Sequence, residues 1–332
     1  GVETLKNVLV ARERLDTLRI GQLPLFSVRG RQVACAALIP SFLTRRIPAE
    51  TQDEITEDIS LILSAISCLD KEAALPLQVA LSDAISRKFR FRFLGLGYGR
   101  FALNIMPGRI VEMFYNNLDY LAKSTAVWQW LRQAANLTPA PSEVRLGDAR
   151  SLPFDEGTFD LIVTSPPYLP ASSGRENYLK SKALAMIALG LIDVDEIDAY
   201  EQMQVGSVHR SESPDELPPK AREVVEWMAA DKVRQVKAGA TASYFIDLAH
   251  SLREIRRVLR LGGLCAMVIG KQHIFYRYKS REVVRIVDNA EVVSELATRC
   301  GLEVENAIHI ELNKRNTVAR PRSLDTYYET IL

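Results

Sequence analysis

The stretch FDLIVT, residues 159–164, is a short apolar run that stops at SPPY. A run of that length is too short for a helix, and it reads as a buried strand. The prolines end it, because neither can donate to a ladder and both fix φ near about −65°. A helical pattern follows later over YFIDLAHSLREIRRVLR (244–260), where Gly262-Gly263 marks the stop, and LCAMVIG (264–270) reads as a second buried strand. Strand, helix and strand in that order predict a parallel pair joined by a crossover. EVRLGDA (143–149), helix AEVVSELATRCG (290–301), strand LEVENAIHIEL (302–312) and strand-like TYYETIL (326–332) extend the rhythm. The expected fold class is α/β, with a mostly parallel, doubly wound sheet. In such sheets ligands bind beyond the carboxyl ends of the strands, where Gly147-Asp148-Ala149 and Ser165-Pro166-Pro167-Tyr168 both fall.

Before residue 143 the pattern is mainly helical. ITEDISLILSAISCL (55–69) repeats apolar residues at helical spacing, with Thr51 as its expected N-cap and Glu54 three residues on. SRKFRFRFLGLGYGRF (86–101) is basic and aromatic, and RIVEMFYNNLDYLAKSTAVWQWLRQ (109–133) predicts a long amphipathic helix. The expected organisation is therefore a helical segment over 1–86, a basic aromatic stretch with the long helix over 87–142, and an α/β region over 143–332. Polar residues and the run SESPDELPP mark an insertion at about 170–235.

Composition narrows the function classes. A net charge of +1 means that any nucleic-acid affinity comes from local clustering. The four cysteines, Cys35, Cys68, Cys265 and Cys300, show no CxxC or Cys/His pairing. They read as buried thiols in a reducing compartment, with no metal site expected. His209, His250, His273 and His309 share no metal or triad spacing. No apolar stretch reaches the roughly 18 residues that span a bilayer. The N-terminus lacks a signal-peptide layout, so the expected location is cytoplasmic, with no membrane partner.

The Ser-Pro-Pro-Tyr turn presents carbonyl oxygens and the Ser165 hydroxyl as acceptors with little freedom to move. Such an edge suits a substrate that brings donors, such as the exocyclic amine of a base. Its lone pair is delocalised into the ring. Hydrogen bonds to Ser165 and the Pro166 carbonyl hold the nitrogen nearer tetrahedral geometry, an effect felt most in the transition state. Tyr168 offers a flat face, and base–aromatic stacking contributes roughly 1–3 kcal/mol.

SPPY after an apolar strand resembles the catalytic motif of the amino-group DNA methyltransferases, which modify cytosine N4 or adenine N6. GDARSLPF…GTFDLIVTSPPY (147–168) is similar to their stretch joining the acidic residue for the cofactor adenine to the catalytic turn. LREIRRVLRLGGLCAMVIG (252–270) resembles the helix–GG–strand of S-adenosylmethionine-dependent methyltransferases generally. LNKRN (312–316) with DTYYETIL (325–332) resembles the chain end of several such enzymes. The resemblance implies a Rossmann-like methyltransferase fold, S-adenosyl-L-methionine as cofactor and DNA as partner, with the target base flipped out of the duplex. It makes Ser165, Pro166, Pro167 and Tyr168 the catalytic turn, with Asp148 accepting from the cofactor adenine amine and Ala149 beside it. Serine at the first position of the motif favours cytosine N4 over adenine N6. An RNA base amino-methyltransferase, or a non-catalytic nucleic-acid-binding protein on a decayed methyltransferase fold, are the alternatives.

These enzymes also carry a strand ending in a Gly-rich turn, typically Asp-Pro-Phe-x-Gly-x-Gly, whose glycines permit close backbone approach. Here FLGLGYG (93–99) has the Phe and glycines but lacks the Asp-Pro. The chain opens GVETLKNVLV, and the expectation is that the Gly-rich strand lies before residue 1, leaving the fold incomplete at its N-terminus. For nucleic-acid contact, Arg87, Lys88, Arg90, Arg92, Arg100 and Arg109 are interleaved with Phe89, Phe91, Phe93 and Tyr98. Arg90 and Arg92 are the expected phosphate contacts there. Lys314 and Arg315, near Arg320 and Arg322, form a second basic group, and Arg175 lies just beyond Tyr168.

Overall fold

The computed structural model describes residues 27–28, 31–32, 39–93, 101–138, 140–169, 178–207, 210–277, 280, 282–312 and 328–332. It separates into two compact units. The first comprises residues 1–93, 101–142 and 177–200, and the second 94–100, 143–176 and 201–332. The expected insertion at about 170–235 is thus divided between them. Among the described residues no helix is long and apolar enough to cross a membrane.

The first unit is built on α1 (Ala49–Ile66), α2 (Lys71–Lys88), a hairpin of β1 (Phe89–Phe93) and β2 (Phe101–Ile105), and α3 (Ile110–Ala134), joined by α4 (Tyr178–Ala188). In α1, Ile55, Ile59, Ile62 and Ile66 recur every three or four residues and are all buried. Its N-cap is Pro48 rather than Thr51, since the missing N–H of proline costs nothing where no intrahelical partner exists. Asp70 caps α2 by accepting from the Ala73 amide at 2.9 Å.

The hairpin pairs Phe89 with Ile105 and Phe91 with Leu103. Phe89 and Phe101 are buried, the Phe91 and Phe101 rings lie 5.1 Å apart at a 44° tilt, and Arg90 is exposed. These aromatic rings therefore serve the core of the hairpin rather than a solvent-facing platform. Two cations of the expected basic patch are also committed internally. Lys88, buried, donates to the Gly108 carbonyl at 2.5 Å, and Arg109 holds the buried Asp58 carboxylate at 2.6 Å. A buried carboxylate needs such a partner.

The second unit centres on a four-stranded sheet of β3 (Phe159–Thr164), β4 (Leu259–Gly270), β7 (Ile308–Glu311) and β8 (Tyr328–Ile331), in the order β3-β4-β8-β7. β3 and β4 are parallel, with Leu161 opposite Leu264 and Thr164 opposite Met267. β8 runs antiparallel to both β4 and β7. The sheet is therefore mixed rather than mostly parallel, because the C-terminal strand returns between two others. Past Gly270 the chain forms a separate antiparallel pair, β5 (Gln272–Tyr276) with β6 (Val283–Asp288). Helices α5 (Pro219–Ala230), α6 (Ala238–Val258) and α7 (Asn289–Arg299) complete the unit.

Strand alternation and register divide the sheet into two faces. Ile162, Cys265, Met267 and Ile269 lie on the face that joins the apolar cluster of α5, α6 and α7. Leu161, Val163, Leu264, Ile308 and Ile310 lie on the other face and are exposed. Within this unit the described helices cover one face, where a doubly wound arrangement covers both.

Two further expectations differ from the fold. EVRLGDA is not a strand: residues 143–147 are irregular, and Val144 and Leu146 are almost fully exposed. Arg145 instead folds back, donating to the Pro153 carbonyl at 2.9 Å and lying 5.0 Å over the Phe154 ring. Without a ladder partner among the described residues, its alternating pattern has nothing to pair with. Gly262-Gly263 does not stop α6 either. The helix ends at Val258, and Leu259 already pairs with Phe159. The ladder resumes only at Leu161 and Leu264, so the glycines sit in a bulge where Gly262 takes φ +77°. Among the cysteines, Cys68 is exposed, contrary to expectation, while Cys265 and Cys300 are part-buried and burial pushes both thiols up.

Candidate functional site

The apolar run of β3 delivers the chain to Thr164, and the Ser165–Tyr168 turn leaves from its carboxyl end. Ser165 is exposed, Pro166 is half-buried and Leu169 is fully buried, so the turn is anchored at its far end and open at its near one. A second anchor comes from α6. The Tyr244 hydroxyl, deep in the core, donates to the Pro167 carbonyl at 2.9 Å. Burial pushes the Tyr244 phenol well above its ordinary range, so it stays a donor. Tyr168 keeps 41% of its surface exposed, and its hydroxyl donates to Glu329 on β8 at 3.2 Å. The ring is held at its tip while part of its surface stays accessible.

Asp148 sits in a tight turn closed by the Ser151 amide on the Asp148 carbonyl at 2.9 Å. Its carboxylate accepts the Arg150 amide at 2.9 Å, Arg150 Nε at 3.0 Å and Arg150 Nη2 at 2.7 Å. The Arg150 hydrogen bond is the main reason this carboxyl lies below the usual range. Asp148 therefore stays ionised and acceptor-only at neutral pH. Ala149 is exposed beside it.

The segment after Asp148 is fastened to the same helix. Glu254 accepts the Leu152 amide at 2.8 Å, and Arg257 donates to the carbonyls of Leu152 and Phe154 at 3.0 and 2.8 Å. Its hydrogen bonds to Arg257 hold the Glu254 carboxyl down to about 2. Arg150 also reaches α6, donating through Nη1 to Asp247 at 3.0 Å.

Tyr244, Asp247, Ser251 and Glu254 follow the i, i+3, i+7, i+10 spacing that lines one helix face. Tyr244 grips the proline turn, and Asp247, one turn on, grips the Asp148 turn through Arg150. The two stretches singled out in the sequence are thus fastened to adjacent positions of one helix. Sequence reading missed Tyr244, Asp247, Arg150 and Glu254. The spacing of Tyr244, Asp247 and Glu254 is legible as a polar line along one helix face, but their partners Pro167, Arg150 and Leu152 are distant in the chain.

Of the expected nucleic-acid contacts, Arg90 alone has its side chain among the described residues. Arg90 is exposed on β1 in the first unit, whereas Ser165 belongs to the second. Arg92 lies in β1, but its side chain falls outside the described residues, as do Arg175, Lys314 and Arg315. Residues 94–99 of FLGLGYG lie outside them too. For an adenosine-bearing cofactor the donor set fits at one end: Asp148 is an ionised acceptor, 46% exposed, suited to an amine N–H. The Gly-rich candidate for the methionine end, residues 94–99, lies outside the described residues.

Among the described residues, no group of three or more His, Cys, Asp or Glu is arranged to hold a metal ion. No protein-family model, curated protein or solved structure matches this chain.

Proposed function

We propose that this chain carries the catalytic turn and the adenine-binding turn of an S-adenosylmethionine-dependent methyltransferase acting on an exocyclic amine of a DNA base, cytosine N4 before adenine N6. The observation that carries the reading is the pair of fastenings on α6: Tyr244 on the Pro167 carbonyl, and Asp247, through Arg150, on the Asp148 turn. An acceptor-lined turn and an ionised carboxylate on neighbouring positions of one helix suit a site that holds a base beside an adenosine. The parallel pairing of β3 with β4, with both turns keyed to the crossover helix, is consistent with a Rossmann-like arrangement.

In this reading Asp148 accepts the adenine amine, with Ala149 leaving room beside it. Bound there, S-adenosylmethionine supplies an electrophilic methyl group. Ser165 and the Pro166 carbonyl accept the two N–H bonds of the target amine, directing its lone pair away from the base ring. As that nitrogen gains positive charge, both acceptors strengthen their hold, and the rigid prolines avoid reorganisation. Tyr168, tethered to Glu329, stacks on the extruded base. Arg90 serves the phosphate backbone, which predicts weaker binding at higher salt.

The test is incubation of the protein with S-adenosylmethionine and DNA, followed by mass spectrometry of the released nucleosides. N4-methylcytosine or N6-methyladenine is expected. Ser165→Ala should lower turnover by about 10²–10³ with cofactor affinity nearly intact, while Asp148→Ala should weaken cofactor binding by about 1–3 kcal/mol. A cofactor-binding protein that methylates no nucleic acid, or an Ser165→Ala variant with unchanged turnover, refutes the mechanism.

A further inference from the structure

Asp247 is 1% exposed, and every acceptor position of its carboxylate is filled. Oδ1 accepts from Arg150 Nη1 at 3.0 Å and Arg210 Nη1 at 2.8 Å. Oδ2 accepts from Arg210 Nη1 at 2.8 Å and the Gly206 amide at 3.3 Å. A carboxylate so buried is retained only with such partners, and removing its charge releases both guanidinium groups at once. Arg210 has a second tether in Glu212, at 2.5 Å. Arg150 has Asp148 and the Met203 carbonyl, the latter at 2.7 Å.

The consequence falls on Asp148. Its Oδ1 receives the Arg150 amide and Nε, which fills both lone pairs. Its Oδ2 receives Nη2 at 2.7 Å and, at 3.2 Å, a share of the one Nε–H that points mainly at Oδ1. Because the guanidinium is planar, with Nη1 held by Asp247 and the second N–H of Nη2 held by the Met203 carbonyl, it fixes the plane of the Asp148 carboxylate. One acceptor direction, on Oδ2, remains for a ligand. A vicinal diol needs both oxygens of a carboxylate, whereas an amine N–H needs one.

Building on the adenine-binding role of Asp148, we propose that Asp247 is a positioning residue: through Arg150 it orients Asp148 so that Oδ2 alone receives the amine of an adenosine-bearing ligand. Arg150 is the intermediate member of the relay, and neither it nor Asp247 contacts the ligand. Replacing Asp247 by Asn keeps its size but weakens its hold on Arg150, and Asp148 then loses its fixed plane.

A double-mutant cycle tests this. The full chain, Asp148→Ala, Asp247→Asn and the double variant are titrated calorimetrically with S-adenosylhomocysteine. Asp247→Asn should weaken binding about three- to thirtyfold in the wild-type background and scarcely at all in the Asp148→Ala background, as coupled residues behave. Equal losses in both backgrounds overturn the positioning role while leaving the role of Asp148 intact. An Asp148→Ala variant with wild-type affinity overturns the underlying assignment instead, as does wild-type protein that binds no adenosyl ligand.

Should Asp247→Asn fail to fold, Arg150→Gln removes the same fork from a less buried position. Carbon NMR of the Asp148 carboxyl then reads the relay without ligand. Its titration midpoint should rise towards the ordinary carboxylate range, and a midpoint that stays put overturns the proposal.

Discussion

Replacing Tyr244 by Phe removes one hydroxyl and one hydrogen bond, that to the Pro167 carbonyl at 2.9 Å, and keeps the ring that packs edge-on against Phe245 at 5.3 Å. Pro167 itself is exposed, so water can reach its carbonyl once the hydroxyl has gone. The stability cost therefore sits near the low end for a lost hydrogen bond, about 1 kcal/mol. Turnover should respond more strongly. The Pro166 carbonyl is one residue away, and a displacement of about 1 Å at a reacting centre can cost up to about 10²-fold in rate. The expected result is a fall of about 1 kcal/mol in denaturant-unfolding free energy with a ten- to hundredfold drop in methyl transfer and little change in cofactor affinity. Wild-type turnover alongside the full stability loss would show that Tyr244 braces the core and has no part in placing the turn.

His273, on β5, is buried, and burial lowers its pKa from 6.5 to about 4, an effect that the Asn289 side chain offsets only in part. The folded protein holds this ring neutral where the unfolded chain takes up a proton. Stability should therefore be complete above about pH 6.5 and fall by about 3 kcal/mol as pH drops towards 4. Urea unfolding between pH 7 and 5 reads the upper part of this window, and a His273→Gln variant that keeps the same slope would refute the assignment. Glu254→Gln should loosen the Leu152 amide, which donates to Glu254 Oε2 at 2.8 Å. Hydrogen exchange at Leu152 is expected to accelerate roughly fivefold, matching about 1 kcal/mol; an unchanged rate would show that Arg257 alone holds this segment.

The parts of the fold legible in the sequence are those whose cause is local. FDLIVT reads as a strand because its apolar run ends at prolines, but not as the buried strand expected, since Leu161 and Val163 are exposed. α3 and α7 follow from the period of their apolar residues, and β4 from LCAMVIG. The misreadings arise where a distant partner decides. EVRLGDA alternates like a strand, but Arg145 folds back on Pro153 and Phe154, and among the described residues no neighbour supplies a ladder. Gly262-Gly263 has the composition of a helix stop, yet pairing of Leu259 with Phe159 takes the chain into the sheet earlier. At the candidate site, the Ser165–Tyr168 turn and Asp148 are visible as motifs. Their supports are not, since Tyr244 lies 77 residues from Pro167 and Asp247 lies 97 from Arg150. Lys88 and Arg109 show the same limit: a basic cluster in sequence is divided in space between solvent and buried acceptors.

Fastening both turns to α6 also decides which changes of length this chain can absorb. Each added residue in a helix advances it by about 1.5 Å and turns it by about 100°. One residue inserted between Tyr244 and Asp247 would therefore swing one anchor roughly a quarter-turn away from the other, and the two loops could no longer be held at once. A residue gained or lost between Leu169 and Met203 leaves the spacing of these anchors unchanged, whereas from Met203 to Arg210 the chain again holds Arg150 and Asp247. Changes of length are therefore best absorbed between the proline turn and Met203. Along the Tyr244–Glu254 face the length is locked, and the helix acts as the ruler for the site.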